Sequence, residues 1–228
     1  LNSPKVNIMT LEDPVEYEMP GINQVQINSG VGLTFATGLR AFLRQDPNVI
    51  LVGEIRDKET TDLAIQAALT GHLVFSTLHT SNAAGALPRL IDLGAETFLL
   101  SSSINAIVGQ RIVRRLCQSC KSAYPPPAQL LDMMKKELGA IFPPGEAKFY
   151  KAVGCSECDN SGYLGRVGVF EVLPVTPKIA EMILKRADSP SLEREAIAEG
   201  MITMKQDGYI KVLKGVTTVE EVLRVAQE

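Results

Sequence analysis

The chain has 228 residues, with 23 lysines and arginines against 26 aspartates and glutamates, for a formal net charge of −3 at pH 7. That length allows more than one hydrophobic core, so a large domain with a smaller appendage is expected. The slight acidic excess argues against a general nucleic-acid-binding surface. The most apolar stretch, 95–108, is shorter than the ~18 residues of a membrane span and is broken by Ser101, Ser102, Ser103 and Asn105.

The first half alternates strands and helices. Val6 to Leu11 is a short apolar-rich run that stops at Glu12-Asp13-Pro14. Val25 and Ile27 alternate with polar residues, as on a half-buried strand. Leu39, Phe42 and Leu43 have helical spacing, with Pro47 as a breaker. Val49-Ile50-Leu51-Val52 is a continuous run, the pattern of a strand covered on both faces. Leu63 to Leu69 is expected to be helical and to stop at Gly71. Leu73-Val74-Phe75 is expected to open a second buried strand, ending near His79. Ala83 to Leu93 follows as a helix, with Gly94 as its cap. Such alternation predicts an α/β fold, a mostly parallel sheet flanked by helices.

The character changes at Cys117. Prolines cluster at 125–127 and 143–144, and Leu130 to Leu138 between them reads as a short amphipathic helix. Residues 155–165 are rich in Gly, Ser and Asn and predict a loop; Val167 to Leu173 returns to strand. From Thr176 onward short helices are expected, and Thr218 with Glu221 has capping-box spacing. The chain opens on Leu1 rather than Met, which suggests a piece of a longer protein.

Acidic groups lie just beyond the buried strands, where ligands of open α/β sheets bind. Glu12 and Asp13 follow the first strand, Glu54 follows Val49–Val52 through Gly53, and His79 follows the next. Such a rim suits phosphoryl transfer to water, which needs a held divalent cation, an oriented water and positive charge on phosphate. Glu54 is the candidate for Mg²⁺ or its waters, Glu12 for the attacking water, and Arg40, Arg44 and Arg56 for phosphate oxygens. Each has a plainer reading. An acid after a strand is commonly a turn or cap residue, Asp13 before Pro14 a turn initiator, and a lone histidine a structural one. Arg40 and Arg44, four apart, form by default a solvated helix face.

Cys117-x-x-Cys120 and Cys155-x-x-Cys158 offer four thiolates with tetrahedral reach, the arrangement of a structural Zn²⁺ site. A site closed by four sulfurs has no open position for catalysis. Its contribution would be to fold a region too rich in Pro and Gly to build its own core.

Several segments in series resemble the ATPases of type II secretion and type IV pilus assembly. Residues 10–17, TLEDPVEY, look like that family's Asp box; 32–35 and 39–47 look like the segment after it. VGEIRD at 52–57 resembles its Walker B, with Glu where most such enzymes use Asp. TGH at 70–72 and STLHT at 76–80 look like the His box. The cysteine pairs, with 162–168, resemble the zinc-bearing assembly branch. The resemblance implies a RecA-like ATPase core over 1–116, a zinc-binding subdomain over 117–166 and a helical C-terminal subdomain over 167–228. It implies ATP and Mg²⁺ as ligands, Glu12 as activator of water, Glu54 as the residue positioning Mg²⁺ and water, and His79 as a sensor of the γ-phosphate. Asp13, Arg40, Arg44 and Arg56 would contact the bound nucleotide. Implied partners are five further copies in a homo-hexamer, an inner-membrane platform protein and a cytoplasmic adaptor, without nucleic acid. The location would be cytoplasmic and peripheral at the bacterial inner membrane. The phosphate loop G-x-x-x-x-G-K-[ST] does not occur in these residues, so the 228 residues alone are expected to be a poor ATPase. The competing expectation is a zinc-stabilised interaction module without activity.

Overall fold

A computed structural model describes residues 1–145 and 147–226. The elements run β1 (Ile8–Glu12), β2 (Asn23–Gln26), α1 (Phe35–Phe42), β3 (Val49–Val52), α2 (Lys58–Leu69), β4 (Leu73–Ser76), α3 (Ala86–Asp92) and α4 (Thr97–Ser103). They continue with β5 (Ala106–Leu116), β6 (Ser122–Tyr124), α5 (Ala128–Leu138), β7 (Phe149–Lys151), β8 (Tyr163–Pro174), α6 (Pro177–Leu184), α7 (Ser189–Ala198), α8 (Met204–Leu213) and α9 (Val219–Ala226). Among the described residues no helix is long and apolar enough to cross a membrane.

The chain divides into two compact units, each built from separate segments. One comprises Leu1–Thr80, Ala84–Asn105 and Pro174–Glu193; the other Ser81–Ala83, Ala106–Leu173 and the segment from Arg194 onward.

The first unit carries the expected α/β core. Its sheet has the order β2-β1-β3-β4 and every pairing is parallel. The β-branched run of β3 is buried in the centre, and Leu11, Ile50 and Val52 pack against Leu39, Phe42 and Ala67. Local chemistry sets the helix starts. Thr34 caps α1 through a reciprocal pair of hydrogen bonds with Thr37, and the Asp57 carboxylate accepts from the Thr60 amide, 2.8 Å, at the head of α2. The strand expected to be buried over Leu73–Phe75 forms as β4, but Leu73 and Phe75 are 39% and 44% exposed. β4 is an edge strand, hydrogen-bonded on one side to β3. An apolar run records that cover is wanted, not that these residues supply it.

The second unit pairs β5 with β8, and β6 with β7 antiparallel. Its core gathers Met134 and Leu138 of α5, Phe149 of β7, Tyr209 and Val212 of α8, and Val219 and Val222 of α9. The Thr218 hydroxyl accepts from the Glu221 amide, 3.4 Å. The Glu221 carboxylate does not complete the expected box. It turns to Arg114 and Arg224, where charge-assisted bonds are stronger than a reciprocal cap.

Candidate functional site

Parallel pairing brings the strand ends to one rim. Register sets Leu11 opposite Val52, and Val52 opposite Ser76. The turns beyond continue the contact: the Gly53 amide donates to Leu11 O at 2.8 Å and the Ile55 amide to Thr77 O at 3.0 Å, while the Thr77 hydroxyl donates to Gly53 O at 2.6 Å. A Cβ at Gly53 would lie 2.9 Å from that same Leu11 oxygen. Glycine is therefore what lets β3 approach β1 closely before the chain turns out at Glu54.

An open cleft of about 410 Å³ lies at this rim in the first unit. Glu12, Asp13, Glu54, Arg56 and His79 all line it, together with Pro14, Glu16, Phe35, Leu51, Gly53 and Thr77. The structure thus gathers five of the seven residues put forward for catalysis and nucleotide contact. Arg40 and Arg44 are not in the lining. Arg40 is ion-paired with Glu59, and Arg44 is exposed. His72, the other histidine, is bonded through Nδ1 to Ala67 O at 2.8 Å, at the end of α2.

Among the described residues, Glu54 and Glu12 are each held at one carboxylate oxygen. Glu54 Oε2 accepts from the Arg56 guanidinium and from His79 Nε2, the latter at 3.1 Å. The Glu54 side chain is 12% exposed and His79 82% exposed. Burial pushes the Glu54 carboxyl up, but the bonds and charges of Arg56 and His79 outweigh it and hold the group below its ordinary value. Glu12 Oε1 accepts from the Thr10 hydroxyl at 2.5 Å and from Gln24 Nε2 at 2.9 Å. Thr10 and Thr77 lie within the motif segments 10–17 and 76–80 but carried no assigned role, and Gln24 lies outside every motif. Strand alternation places Gln24 on β2, but only the β1–β2 register brings it to Glu12.

In the second unit the four cysteine sulfurs lie within 4.8 Å of one another. Cys117 to Cys155 and Cys120 to Cys158 are 3.8 Å, and Cys155 to Cys158 is 3.7 Å. An ion bonded to four sulfurs at about 2.3 Å has a ligand–ligand edge of about 3.8 Å, so the spacing is compatible with zinc. Amides also point at the sulfurs: Gly154 to Cys120 at 3.3 Å, and Cys155 and Gly162 to Cys158 at 3.2 Å each. Burial pushes the Cys120 thiol up to about 11. It also pushes the Cys158 thiol up, but the Cys155 and Gly162 amides bring that one down to about 7. Such N–H···S bonds stabilise thiolates and orient them, as outer-shell donors do in metal sites.

A profile of the family described as type II/IV secretion system protein matches residues 1–224. Among curated proteins, type II secretion system protein E of Pseudomonas aeruginosa is 48% identical over 228 residues, all of this chain and 44% of its own length. Type IV pilus assembly ATPase PilB of Myxococcus xanthus is 46% identical over 226 residues, 98% of this chain and 39% of its own. The chain therefore spans less than half the length of these relatives. Among solved structures, the pilus retraction motor PilT with bound ADP superposes with a TM-score of 0.67 at 28% identity, over 98% of this chain and 53% of PilT.

Proposed function

The chain belongs to the type II/IV secretion system protein family, and from that premise we propose that it is the ATP-hydrolysing part of a secretion or pilus-assembly motor. The observation that carries the proposal is the convergence of Glu12, Glu54, Arg56 and His79 on one cleft at the carboxyl rim of a parallel sheet. The relatives' names, a type II secretion protein and a pilus-assembly ATPase, support it.

In this reading Glu12 accepts a proton from the attacking water, and its anchored Oε1 leaves Oε2 for that work. Glu54, kept ionised by Arg56 and His79, holds Mg²⁺ or its waters with Asp13 alongside. When bound, Mg²⁺ supplies charge neutralisation on the phosphate oxygens. Arg56 would neutralise phosphate oxygens and His79 would sense the γ-phosphate; both line the cleft and both are bonded to the Glu54 carboxylate. Arg40 and Arg44, outside the cleft, are assigned to a triphosphate held by a neighbouring copy in a homo-hexamer. Cys117, Cys120, Cys155 and Cys158 hold a structural Zn²⁺. The whole protein would act in the bacterial cytoplasm, peripherally at the inner membrane, with no nucleic acid. An adaptor would hold it to a platform protein through which pilin or pseudopilin subunits are assembled.

The test is steady-state ATP turnover of the full-length protein with Mg²⁺. Glu12→Gln and Glu54→Gln should each lower turnover at least about a hundredfold. Wild-type turnover in both variants would overturn the roles given to Glu12 and Glu54, and no turnover in the unaltered full-length protein would leave a zinc-stabilised interaction module as the better account.

A further inference from the structure

We propose that Gln24 is a positioning residue that sets which oxygen of Glu12 faces the reacting water. The inference rests on the assignment of Glu12 as the base. Gln24 is half-buried on β2, opposite Thr10 in the parallel register. Both N–H groups and the oxygen of its amide have partners. Nε2 donates to Glu12 Oε1 at 2.9 Å and to Tyr17 O at 3.0 Å, while Oε1 accepts from the Met19 amide at 2.6 Å. Those partners admit one orientation of the amide, because a flipped group would set oxygen against two acceptors.

Two consequences follow. Gln24 and the Thr10 hydroxyl donate to the same oxygen of Glu12, and no described residue donates to Oε2. A carboxylate anchored at one oxygen loses rotational freedom and presents the other oxygen in a constant direction, which is the preorganisation a general base needs. The same amide also ties down the loop between β1 and β2 at Tyr17 and Met19, and Gln26 Oε1 accepts from the Val15 amide at 3.3 Å. That loop contributes Asp13, Pro14 and Glu16 to the cleft wall. Gln24 therefore fixes the base and the wall beside it through one group.

The experiment is a double-mutant cycle in the full-length protein. Gln24→Met keeps the length of the side chain and removes both donors. Gln24→Glu keeps an acceptor for Met19 but sets a second carboxylate against Glu12. Gln24→Met should lower kcat about tenfold or more and leave the KM for ATP within about twofold; Gln24→Glu should lower kcat further. In a Glu12→Gln background, Gln24→Met should change kcat by less than about twofold, since a residue acting through Glu12 has nothing left to act on. Undiminished kcat in Gln24→Met, or a loss that multiplies with that of Glu12→Gln, would overturn the brace, because a residue serving only the fold lowers kcat whatever stands at position 12. Thermal unfolding of each variant reports whether the fold has changed. Glu12→Gln with wild-type turnover would overturn the assignment of the base and this inference with it; an inactive Glu12→Gln beside an unaffected Gln24→Met would overturn the brace alone.

Discussion

A buried carboxylate is an asset only while donors surround it, and the second unit contains two examples that behave differently. Glu221 is 3% exposed at its side chain and takes bonds from the Arg114 amide and guanidinium and from Arg224. Burial pushes it up, but those donors outweigh burial and bring it down to about 2 from an ordinary 4.5. A depressed folded value means that its stabilisation is fully present above the unfolded value and is lost as pH falls through the folded one. Unfolding by urea should therefore show Glu221→Gln less stable than the unaltered chain by about 2 kcal/mol at neutral pH. The gap should narrow between about pH 4.5 and pH 2. A gap that does not change with pH would contradict this. Glu171, 4% exposed, instead accepts from the amides of Ala83 at 2.6 Å and Met204 at 3.2 Å. A Cβ at Gly109 would lie 2.8 Å from Glu171 Cγ and Oε1. The carboxylate cannot swing aside without releasing those amides, so Gly109→Ala should cost about 2 kcal/mol. An unchanged urea midpoint would refute that. Neither role was legible in the sequence, because each depends on a partner some 30 to 110 residues away.

Elements were legible where a local period or a covalent pattern defines them. The β-branched run of β3, the helix over 128–138 and both cysteine pairs form where their residues point. Each Cys-x-x-Cys turn closes on itself, with the Lys121 amide on Cys117 O at 3.1 Å and the Cys158 amide on Cys155 O at 3.2 Å. What the sequence could not show was exposure. β4 reads as buried because Leu73 and Phe75 are apolar, yet its burial depends on what lies beside the sheet edge. The cysteine turns carry a prediction of their own. The sequence predicts a segment too rich in Pro and Gly to build a core, yet Met134, Leu138 and Phe149 join that of the second unit; what an ion linking four thiolates would order is the pair of cysteine turns beside it. Protein purified without chelator should contain about one zinc per chain. Its removal, or Cys120→Ser, should lower the thermal midpoint, and titrated thiols should rise as metal leaves. Full thermal stability after stripping would argue against a structural ion.

At the scale of the molecule, motifs run linearly and compactness does not. Cuts at 116 and 166 follow the lettering of the chain, whereas the compact units are assembled from segments that return, Pro174–Glu193 to the first and Arg194 onward to the second. The cleft of the first unit also has a charge balance that bears on the activity of these 228 residues. Its lining sets four carboxylates, Glu12, Asp13, Glu16 and Glu54, against Arg56 and His79. A triphosphate meeting that surface is repelled unless cations intervene. The lysine of a phosphate loop would supply one and its backbone amides would donate to the phosphate oxygens, but these residues contain no such loop. The 228-residue chain should therefore bind ATP weakly by calorimetry, and what binding there is should depend on Mg²⁺. Its turnover should fall at least about a hundredfold below that of the full-length protein. Turnover near the full-length value would show that this cleft handles phosphate by means other than the groups named here, and the roles assigned to Glu54 and Arg56 would have to be rebuilt.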